Sequence, residues 1–289
     1  MTFPKQAVVR SAVVSLAGAA ALLLSACGES AGSAGDGQGQ IQSQGDASAQ
    51  KETQMASTPP VIPSAGRPLA TELQARREAF GQRASDDIKT LYDAGIQAVV
   101  DASVVENARS MGDEAPGFEL TNQSGEVVSL ASLLEQGPVV LLWYRGGWCP
   151  YCNLTLRAYQ ERLDDIGARG ATLVALSPEL PDRSISTAEK EGLGFQVLSD
   201  VGNAVAREYG VVFSLTEGVQ ENYEKAFGLS AFNGDDSGEL PLAATYVIDR
   251  SGIIRWAFLD ADYRNRAEPA DVIAALDRLP PASSGASGG

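Results

Sequence analysis

The fold is decided by residues 138–152, which read PVVLLWYRGGWCPYC. The apolar, β-branched run from Pro138 to Trp143 predicts a buried strand, and the glycine pair that follows breaks it. A helix is predicted next, because apolar side chains recur there at steps of three and four residues on one face: Cys152, Leu156, Tyr159, Leu163 and Ile166. The order of strand, glycine turn, Cys-x-x-Cys and helix indicates a redox site.

The cysteine at the start of the predicted helix is expected to be reactive. Pro150 suits the first helical position, where its missing N–H costs nothing, so Cys149 falls at or beside the N-cap. A thiol there faces unpaired backbone N–H groups and the positive end of the helix dipole, and both lower its pKa. Arg145, four residues upstream, is expected to add to this effect. Local chemistry therefore favours Cys149 as nucleophile, because Cys152 lies on the face expected to be buried.

The composition excludes several other kinds of site. The 289 residues contain no histidine and only three cysteines, which excludes His-based triads, Cys₂His₂ zinc sites and Cys₄ metal sites. A net charge of −15 argues against nucleic-acid binding. Neither Gly-x-x-x-x-Gly-Lys nor Gly-x-Gly-x-x-Gly after a strand occurs in the sequence. Thiol chemistry without a metal or an organic cofactor is what remains.

The rest of residues 112–279 alternates between predicted strands and helices. A hairpin is predicted from Phe118 to Val128 around Gly125, followed by a short helix from Leu130 to Gln136. Later strands are predicted at Thr172 to Leu176, Phe195 to Leu198, Thr245 to Ile248 and Ile253 to Phe258. Later helices are predicted at Ser186 to Glu191, Val201 to Tyr209, Glu217 to Phe227 and Pro269 to Leu279. This alternation around a hairpin predicts an α/β sandwich.

Other segments flank or interrupt this domain. Residues 67–111 predict a helical arm, in which one stripe carries Ile88, Leu91, Tyr92, Ile96, Val99 and Val100. The arm is expected to pack on the redox domain, to meet a second subunit or simply to cap the core, so an oligomer is an open alternative. The mixed charges of residues 260–266 fit a solvated loop, and residues 280–289 predict a disordered tail.

Four stretches resemble the peroxiredoxin-like proteins, the alkyl hydroperoxide reductase and thiol-specific antioxidant branch of the thioredoxin fold. They are PGFEL at 116–120, the strand into Cys-x-x-Cys, LSP at 176–178 and TYVIDRSGIIR at 245–255. The resemblance implies an α/β, thioredoxin-like three-layer sandwich over residues 112–279 with an N-terminal helical extension. It also implies a thiol-dependent peroxidase that reduces hydroperoxides and takes electrons from a thioredoxin-like donor.

The chain departs from that family's pattern around the cysteines. Peroxiredoxins usually carry Pro-x-x-x-Thr/Ser-x-x-Cys, in which the last cysteine attacks the peroxide. Laid on this sequence, the pattern puts Cys152 at that cysteine, Cys149 at the hydroxyl position and Arg145 at the proline. The family's arginine before the strand at 245–248 falls on Ala243. The resemblance thus points to Cys152 as the attacking residue and local chemistry to Cys149, and both orders stay open.

Two mechanisms use this cysteine pair. In a peroxidase, one thiolate becomes a sulfenic acid and the other cysteine condenses with it to a disulfide. In a thiol–disulfide oxidoreductase acting on protein disulfides, Cys149 attacks the substrate disulfide and Cys152 releases the mixed disulfide. Arg145, Trp148 and Arg255 are candidate contacts to substrate or thiolate, with a lid for Trp148 and an outward-facing strand position for Arg255 as the alternatives. Two further alternatives to a redox-active pair are an inert disulfide and a binding module built on an inactive redox fold.

The first 66 residues predict an export signal and a tether. Residues 1–26 combine a basic front end with an apolar stretch too short to span a bilayer comfortably. The sequence Leu-Ser-Ala-Cys at 24–27 resembles the bacterial lipoprotein lipobox, which implies cleavage before Cys27 and acylation there; an ordinary secretory peptide is the alternative. Residues 27–66, rich in Gly, Ser, Ala and Gln, predict a flexible linker. The protein is therefore expected to be extracytoplasmic and lipid-anchored to a bacterial membrane.

Overall fold

The computed structural model of the chain describes residues 68–280. The predicted signal, the lipidation site at Cys27, the linker and the tail from residue 281 lie outside the described residues. Between residues 68 and 280, none of the helices combines the length and the apolar character needed to cross a membrane.

The described chain forms a seven-stranded sheet and a two-stranded sheet. In chain order the strands are β1 (Glu119–Asn122), β2 (Val127–Ser129), β3 (Val139–Trp143), β4 (Thr172–Ser177), β5 (Gln196–Ser199), β6 (Val212–Ser214), β7 (Glu239–Pro241), β8 (Thr245–Ile248) and β9 (Ile254–Phe258). The large sheet has the order β2-β1-β5-β4-β3-β8-β9, and β6 pairs with β7. Strands β3, β4 and β5 are parallel, and β8 is antiparallel to both β3 and β9.

Helices precede, connect and follow these strands. They are α1 (Pro68–Arg83), α2 (Asp86–Asp101), α3 (Val104–Asn107), α4 (Leu130–Gln136), α5 (Pro150–Gln160), α6 (Leu163–Gly167), α7 (Pro181–Glu191), α8 (Ala204–Glu208), α9 (Glu217–Phe227), α10 (Leu229–Asn233) and α11 (Pro269–Leu276). The hairpin of β1 and β2 turns at Gly125, whose φ of 83° favours glycine.

Strand β3 divides the core into two layers. Its alternate side chains point to opposite faces of the sheet, and all of its residues are buried. Val140 and Leu142 join an apolar cluster with side chains of α1, α5 and α11. Val139 and Leu141 join a second cluster with side chains of α4 and α8. Helices therefore cover both faces of the sheet, and the predicted three-layer α/β sandwich is confirmed.

The N-terminal arm packs on the same chain's sandwich. Leu69 and Leu73 of α1 are buried in the cluster that contains the Cys152 side chain. The carboxylate of Glu268 accepts hydrogen bonds from the backbone N–H groups of Leu69 and Ala70, which fixes the first turn of α1. Leu91 and Tyr92 of α2 pack against Val219 and Tyr223 of α9. Val100, predicted to share the apolar stripe of α2, is instead exposed.

One local prediction is wrong, and two short strands were not predicted. The apolar period from Cys152 to Ile166 predicts one helix, but the chain forms two, because Arg162 leaves the helical region (φ −112°, ψ 12°) between α5 and α6. Strands β6 and β7 were not predicted, because each has three residues and its partner lies on the far side of α9 and α10.

Candidate active site

The Cys-x-x-Cys lies where central strand β3 ends and α5 begins. Cys149 is the N-cap of α5, with extended backbone (φ −88°, ψ 113°), and Pro150 follows at the start of the helix, as predicted. The Cys149 carbonyl accepts a helical hydrogen bond from the Asn153 N–H at 3.1 Å. The loop that carries the cysteines is fixed at one end by β3, which is held between β4 and β8, and at the other end by α5.

Two glycines are required in this loop. Gly146 has φ of 149°, and a Cβ at this position would lie 2.2 Å from Nε1 of Trp148. A Cβ at Gly147 would lie 2.2 Å from Oγ1 of Thr187 on α7. The close approach of the Trp148 ring and of α7 to the loop backbone thus depends on the missing side chains.

Arg145 places a buried positive charge beside Cys149. Its Nη1 lies 3.8 Å from Sγ of Cys149, and its Nη2 donates a hydrogen bond to the Tyr223 hydroxyl at 2.8 Å. The guanidinium carbon also lies 4.1 Å from the ring centroid of Tyr263 and 5.0 Å from that of Trp148. These cation–π contacts hold the charge in the interior without a carboxylate partner at hydrogen-bond distance among the described residues.

Cys152 has different neighbours from Cys149. Its Sγ accepts hydrogen bonds from the backbone N–H of Arg145 and from Nη2 of Arg266, both at 3.4 Å. The side chain is fully buried, and Arg266 is buried with it. Each sulfur of the pair therefore has its own guanidinium, with Arg145 at Cys149 and Arg266 at Cys152.

These surroundings separate the two thiols chemically. Burial alone would raise the pKa of Cys149, but the hydrogen bond from the Cys152 thiol and the charges of Arg145 and Arg266 outweigh burial and lower that pKa to about 5. Burial raises the pKa of Cys152, and the hydrogen bond to Cys149 and the negative charge there raise it further. At neutral pH the pair is thus a Cys149 thiolate beside a protonated Cys152.

Cys149 borders a small aromatic cavity. The cavity has a volume of about 140 Å³ and is lined by Cys149 and by side chains of α1, α2, α9 and the loop before α11, among them Arg76, Tyr92, Tyr223 and Tyr263. The Trp148 ring stacks on Phe227 of α9 at a centroid distance of 4.4 Å and closes one side. Cys149 itself is 1% exposed. A small molecule therefore fits at its sulfur, whereas a folded protein does not reach it in this conformation.

The buried carboxyl group of Glu179 accepts hydrogen bonds from the loop that carries the cysteines. Oε1 of Glu179, which follows β4, accepts a hydrogen bond from the Gly147 N–H at 2.7 Å, and Oε2 accepts one from the Tyr144 hydroxyl at 3.0 Å. Burial raises the pKa of Glu179, and the nearby Cys152 raises it further, although the Gly147 and Tyr144 hydrogen bonds oppose this. Among residues 68–280, no group of three or more His, Cys, Asp or Glu side chains is arranged to hold a metal ion.

Cys149, Cys152, Arg145 and Trp148 come together, but Arg255 lies elsewhere. Arg255 follows Ile254 in β9. Ile254 pairs with Ile248 of β8, and Ile248 pairs with Val139, the first residue of β3. Its Nε donates a hydrogen bond to Oδ2 of Asp249 at 2.5 Å. Four extended residues, about 13 Å, separate Val139 from Trp143. The prediction that Arg255 contacts thiolate or substrate is therefore wrong, because the register of β9 carries it to the opposite end of the sheet.

Several residues of the site were not predicted from the sequence. Arg266 belongs to the run interpreted as a solvated loop, Tyr223 to an amphipathic helix and Glu179 to a strand end. A buried charged side chain has no characteristic pattern in the local sequence. The available signals were indirect: an arginine close before the apolar α11, and a Ser-Pro-Glu sequence at the end of a buried strand. Only the packing of distant segments identifies these residues.

The sequence model of the AhpC/TSA family matches residues 111–257, which is half of the chain. The chain belongs to the AhpC/TSA family. Within it, peroxiredoxin Bcp of Escherichia coli K12 is 33% identical over 106 residues, covering 36% of this chain and 67% of that protein. The chloroplastic peroxiredoxin Q of Triticum aestivum is 28% identical over 189 residues, covering 65% of this chain and 75% of the relative.

Part of the chain is also similar to solved structures of other proteins. Peroxidoxin BcpB of Mycobacterium tuberculosis aligns with a TM-score of 0.48 and 22% identity over 60% of this chain and 99% of that one. Ala243, the position onto which the resemblance places an arginine, is buried. The guanidiniums beside the two sulfurs come instead from Arg145 and Arg266, from the loops before α5 and α11.

Proposed function

We propose that the protein is a thiol-dependent peroxidase in which Cys149 attacks the hydroperoxide and Cys152 resolves the product. The observation that carries this order is the difference between the two sulfurs. Cys149 lines the cavity and has a pKa lowered to about 5, whereas Cys152 is not among the residues that line the cavity and has a raised pKa. The more acidic thiol is thus also the one that a small substrate can reach.

The oxidation step is a displacement at oxygen. The Cys149 thiolate attacks the terminal oxygen of ROOH, the O–O bond breaks, and Cys149 becomes a sulfenic acid while RO⁻ leaves and takes up a proton as ROH. Arg145, 3.8 Å from the sulfur, keeps the thiolate populated and offers positive charge where the leaving oxygen becomes negative. The Trp148 ring and α9 keep bulk water away from this step.

The resolving step uses the geometry of one helical turn. Cys152 lies three residues after Cys149 in the first turn of α5, so its sulfur attacks the sulfenic sulfur without a long chain movement. The S–S bond forms, and the sulfenic oxygen leaves as water with the Cys152 proton. A dithiol donor of the thioredoxin type then supplies two electrons and two protons and restores both thiols.

The burial of Cys149 favours this reaction over exchange with protein disulfides. An exchange enzyme must bring its attacking sulfur within bonding distance of a disulfide in another folded protein. Cys149 is behind Trp148 and α9, at a cavity of about 140 Å³, which suits a hydroperoxide of small or slender shape. Proteins reach the pair only after this lid moves, which is a requirement of the reduction step and not of oxidation.

Stopped-flow fluorescence of the reduced protein mixed with hydrogen peroxide tests this proposal. Trp148 is adjacent to Cys149 and reports its oxidation. We expect a fast second-order signal that Cys149→Ser abolishes and Cys152→Ser retains, with the second variant stopping as a sulfenic acid detectable by dimedone. Loss of the signal in Cys152→Ser alone would reverse the order. A rate no faster than that of a free thiol would overturn the peroxidase assignment and leave disulfide exchange.

We also propose that the domain works from a lipid tether at Cys27, outside the cytoplasm. The basic and apolar segments of residues 1–26 and the Leu-Ser-Ala-Cys sequence support this proposal. A linker of roughly 40 residues spans about 35 Å on average, which lets the domain stand clear of a bilayer. Incorporation of labelled palmitate in bacterial cells, lost in Cys27→Ser, is the expected result. A Cys27→Ser protein that stays in the membrane fraction with unchanged labelling would contradict it.

A further inference from the structure

A cleft lies at the end of the sheet where β3 begins, away from the cysteines. It has a volume of about 520 Å³ and is lined by Arg169, Arg250 and Arg255. An adjoining hollow of about 240 Å³ shares Arg255 and adds Arg278. We call the two together the arginine cleft. Its arginines come from four separate segments: the turn after α6, the turn between β8 and β9, strand β9 and the end of α11.

The arginine cleft reverses the charge of the chain locally. The protein has a net charge of −15, yet four guanidiniums meet here with three neighbouring carboxylates, Asp249, Asp277 and Asp165, and Asp165 is itself paired with Arg162. Asp249 is engaged by its own turn, since Oδ1 accepts hydrogen bonds from Ser251 and from the Ile253 N–H while Oδ2 accepts one from Arg255. Both Asp277 oxygens accept hydrogen bonds from Arg169. Positive charge therefore remains in excess.

Two of the guanidiniums that the proposal uses, those of Arg250 and Arg255, are held by hydrogen bonds within the protein. Arg250 donates Nη2 to the Gln136 carbonyl at 2.7 Å, and Arg255 donates Nε to Asp249 at 2.5 Å. Each contact uses one part of a planar group that carries five N–H donors, so further donors are left for an anion. The Arg255 side chain is 43% exposed and Arg278 is exposed. Preorganised and accessible guanidiniums are suited to bind a group with several anionic oxygens.

The walls of the arginine cleft add an apolar component. Pro138, Leu276 and Leu279 line the same space as the arginines. An inorganic anion would contact only the guanidiniums. An anion attached to an organic group would contact the guanidiniums and the apolar side chains together. Nucleic acid is unsuitable, because the rest of a chain with a net charge of −15 repels it.

We propose that the arginine cleft binds a phosphate ester, with its oxygens on Arg250, Arg255 and Arg278 and its organic group against Leu276 and Leu279. Arg250 and Arg255 line the larger cleft, and Arg255 and Arg278 line the adjoining hollow. Guanidiniums on both sides of Arg255 match the several oxygens of a phosphate better than those of a single carboxylate. This chemistry is shared by a phospholipid headgroup and by a soluble phosphate ester. The site is independent of the proposed peroxidase reaction, since the register of the sheet separates it from the cysteines.

Calorimetric titration of the full chain carrying Cys27→Ser tests the proposal without a competing acyl group. The probes are inorganic phosphate, glycerol 3-phosphate and a short-chain phosphatidate. We expect the two esters to bind, and Arg255→Gln and Arg278→Gln each to weaken them about tenfold, as loss of a charge-assisted contact does. The matched control is Arg207→Gln, because Arg207 is also exposed and also paired with one carboxylate, that of Glu239, but lies outside the arginine cleft.

The relative affinities of the two esters show whether the ligand is a lipid headgroup or a soluble phosphate ester. Tighter binding of phosphatidate than of glycerol 3-phosphate supports the proposal with a lipid as ligand, and equal binding supports it with a soluble ester. Absence of binding by both esters overturns it, as does equal weakening by Arg207→Gln. Thermal melting of each variant excludes loss of folding, and the exposed Arg278 provides the variant least involved in the fold.

Discussion

Nη2 of Arg266 lies 3.4 Å from Sγ of Cys152, a residue 114 positions earlier in the chain. The arginine is 6% exposed, so its charge acts on the sulfur with little screening by solvent. In the proposed mechanism, the donor attacks Cys149 of the Cys149–Cys152 disulfide, because Cys149 is the sulfur that borders the cavity, and Cys152 is released as a thiolate. Arg266 is therefore positioned to stabilise the leaving group of the reduction step, while Arg145 stabilises the attacking thiolate of the oxidation step.

Replacing Arg266 by glutamine is expected to slow reduction of the disulfide about tenfold, because the Cys152 thiolate loses a charge-assisted hydrogen bond. The measurement is the rate at which dithiothreitol reduces the oxidised protein, followed by tryptophan fluorescence. Arg266→Lys keeps the charge and should recover part of the rate. Arg264→Gln is the control, since Arg264 pairs with Asp262 two residues away. Equal reduction rates in Arg266→Gln and Arg264→Gln would remove Arg266 from the mechanism.

The pKa of Cys149, lowered to about 5, predicts how peroxide reduction depends on pH. The thiolate is the reacting form, so the second-order rate constant should be flat at neutral pH and fall as the pH drops through about 5. Arg145→Gln removes one of the charges that oppose burial and should move this midpoint upward by about 1–3 pH units. Thiolate absorbance near 240 nm, titrated in parallel in Cys152→Ser, checks the assignment. An unmoved midpoint in Arg145→Gln would mean that another group lowers the pKa.

The framework of the site was predictable because its signals are local. The strand, the glycine turn and the N-cap position of Cys149 follow from consecutive residues, and the structure has β3 at Val139–Trp143 and α5 starting at Pro150. Apolar periodicity likewise predicted α9 at Glu217–Phe227. These elements depend on interactions within a few positions along the chain, which a sequence pattern reports directly.

The electrostatic part of the site was not predictable, because it depends on register and on distant packing. Arg255 and Arg266 are both arginines near the end of the chain, and nothing in their local sequence says which one meets a cysteine. The pairing of β9 with β8 carries Arg255 to Asp249, while the loop before α11 turns Arg266 into the core. A contact across 114 positions has no signature in a single sequence.

Gly146→Ala should destabilise the protein and disturb the site together. Its φ of 149° is unfavourable for any residue with a Cβ, and that Cβ would collide with the Trp148 ring. We expect a loss of about 2–4 kcal/mol in the free energy of unfolding by urea, with a shift of the tryptophan emission. Gly117→Ala is the matched control, because a Cβ there meets open space. Equal stability of the two variants would show that the loop relaxes without cost.

Glu179 predicts a pH dependence of stability with a definite sign. Its pKa is raised in the folded protein, chiefly by burial, so folding favours the protonated form. The stabilisation from this group is complete below the ordinary pKa of a glutamate and is lost as the pH rises through the raised value. Glu179→Gln cannot ionise and keeps an acceptor for the Gly147 N–H. The difference in unfolding free energy, Glu179→Gln minus the unmodified protein, should therefore be larger at pH 8 than at pH 4.

Urea unfolding of both proteins at the two pH values gives this difference directly, since the other titrating groups are common to both and cancel. Glu189→Gln is the control, because Glu189 is an exposed carboxylate on α7, the helix that follows Glu179. If the Glu179→Gln difference were constant, folding would leave the pKa of Glu179 unchanged, and if it moved against the variant at pH 8, folding would lower that pKa. In the second case, the hydrogen bond from the Gly147 N–H would be a charge-assisted contact that folding favours.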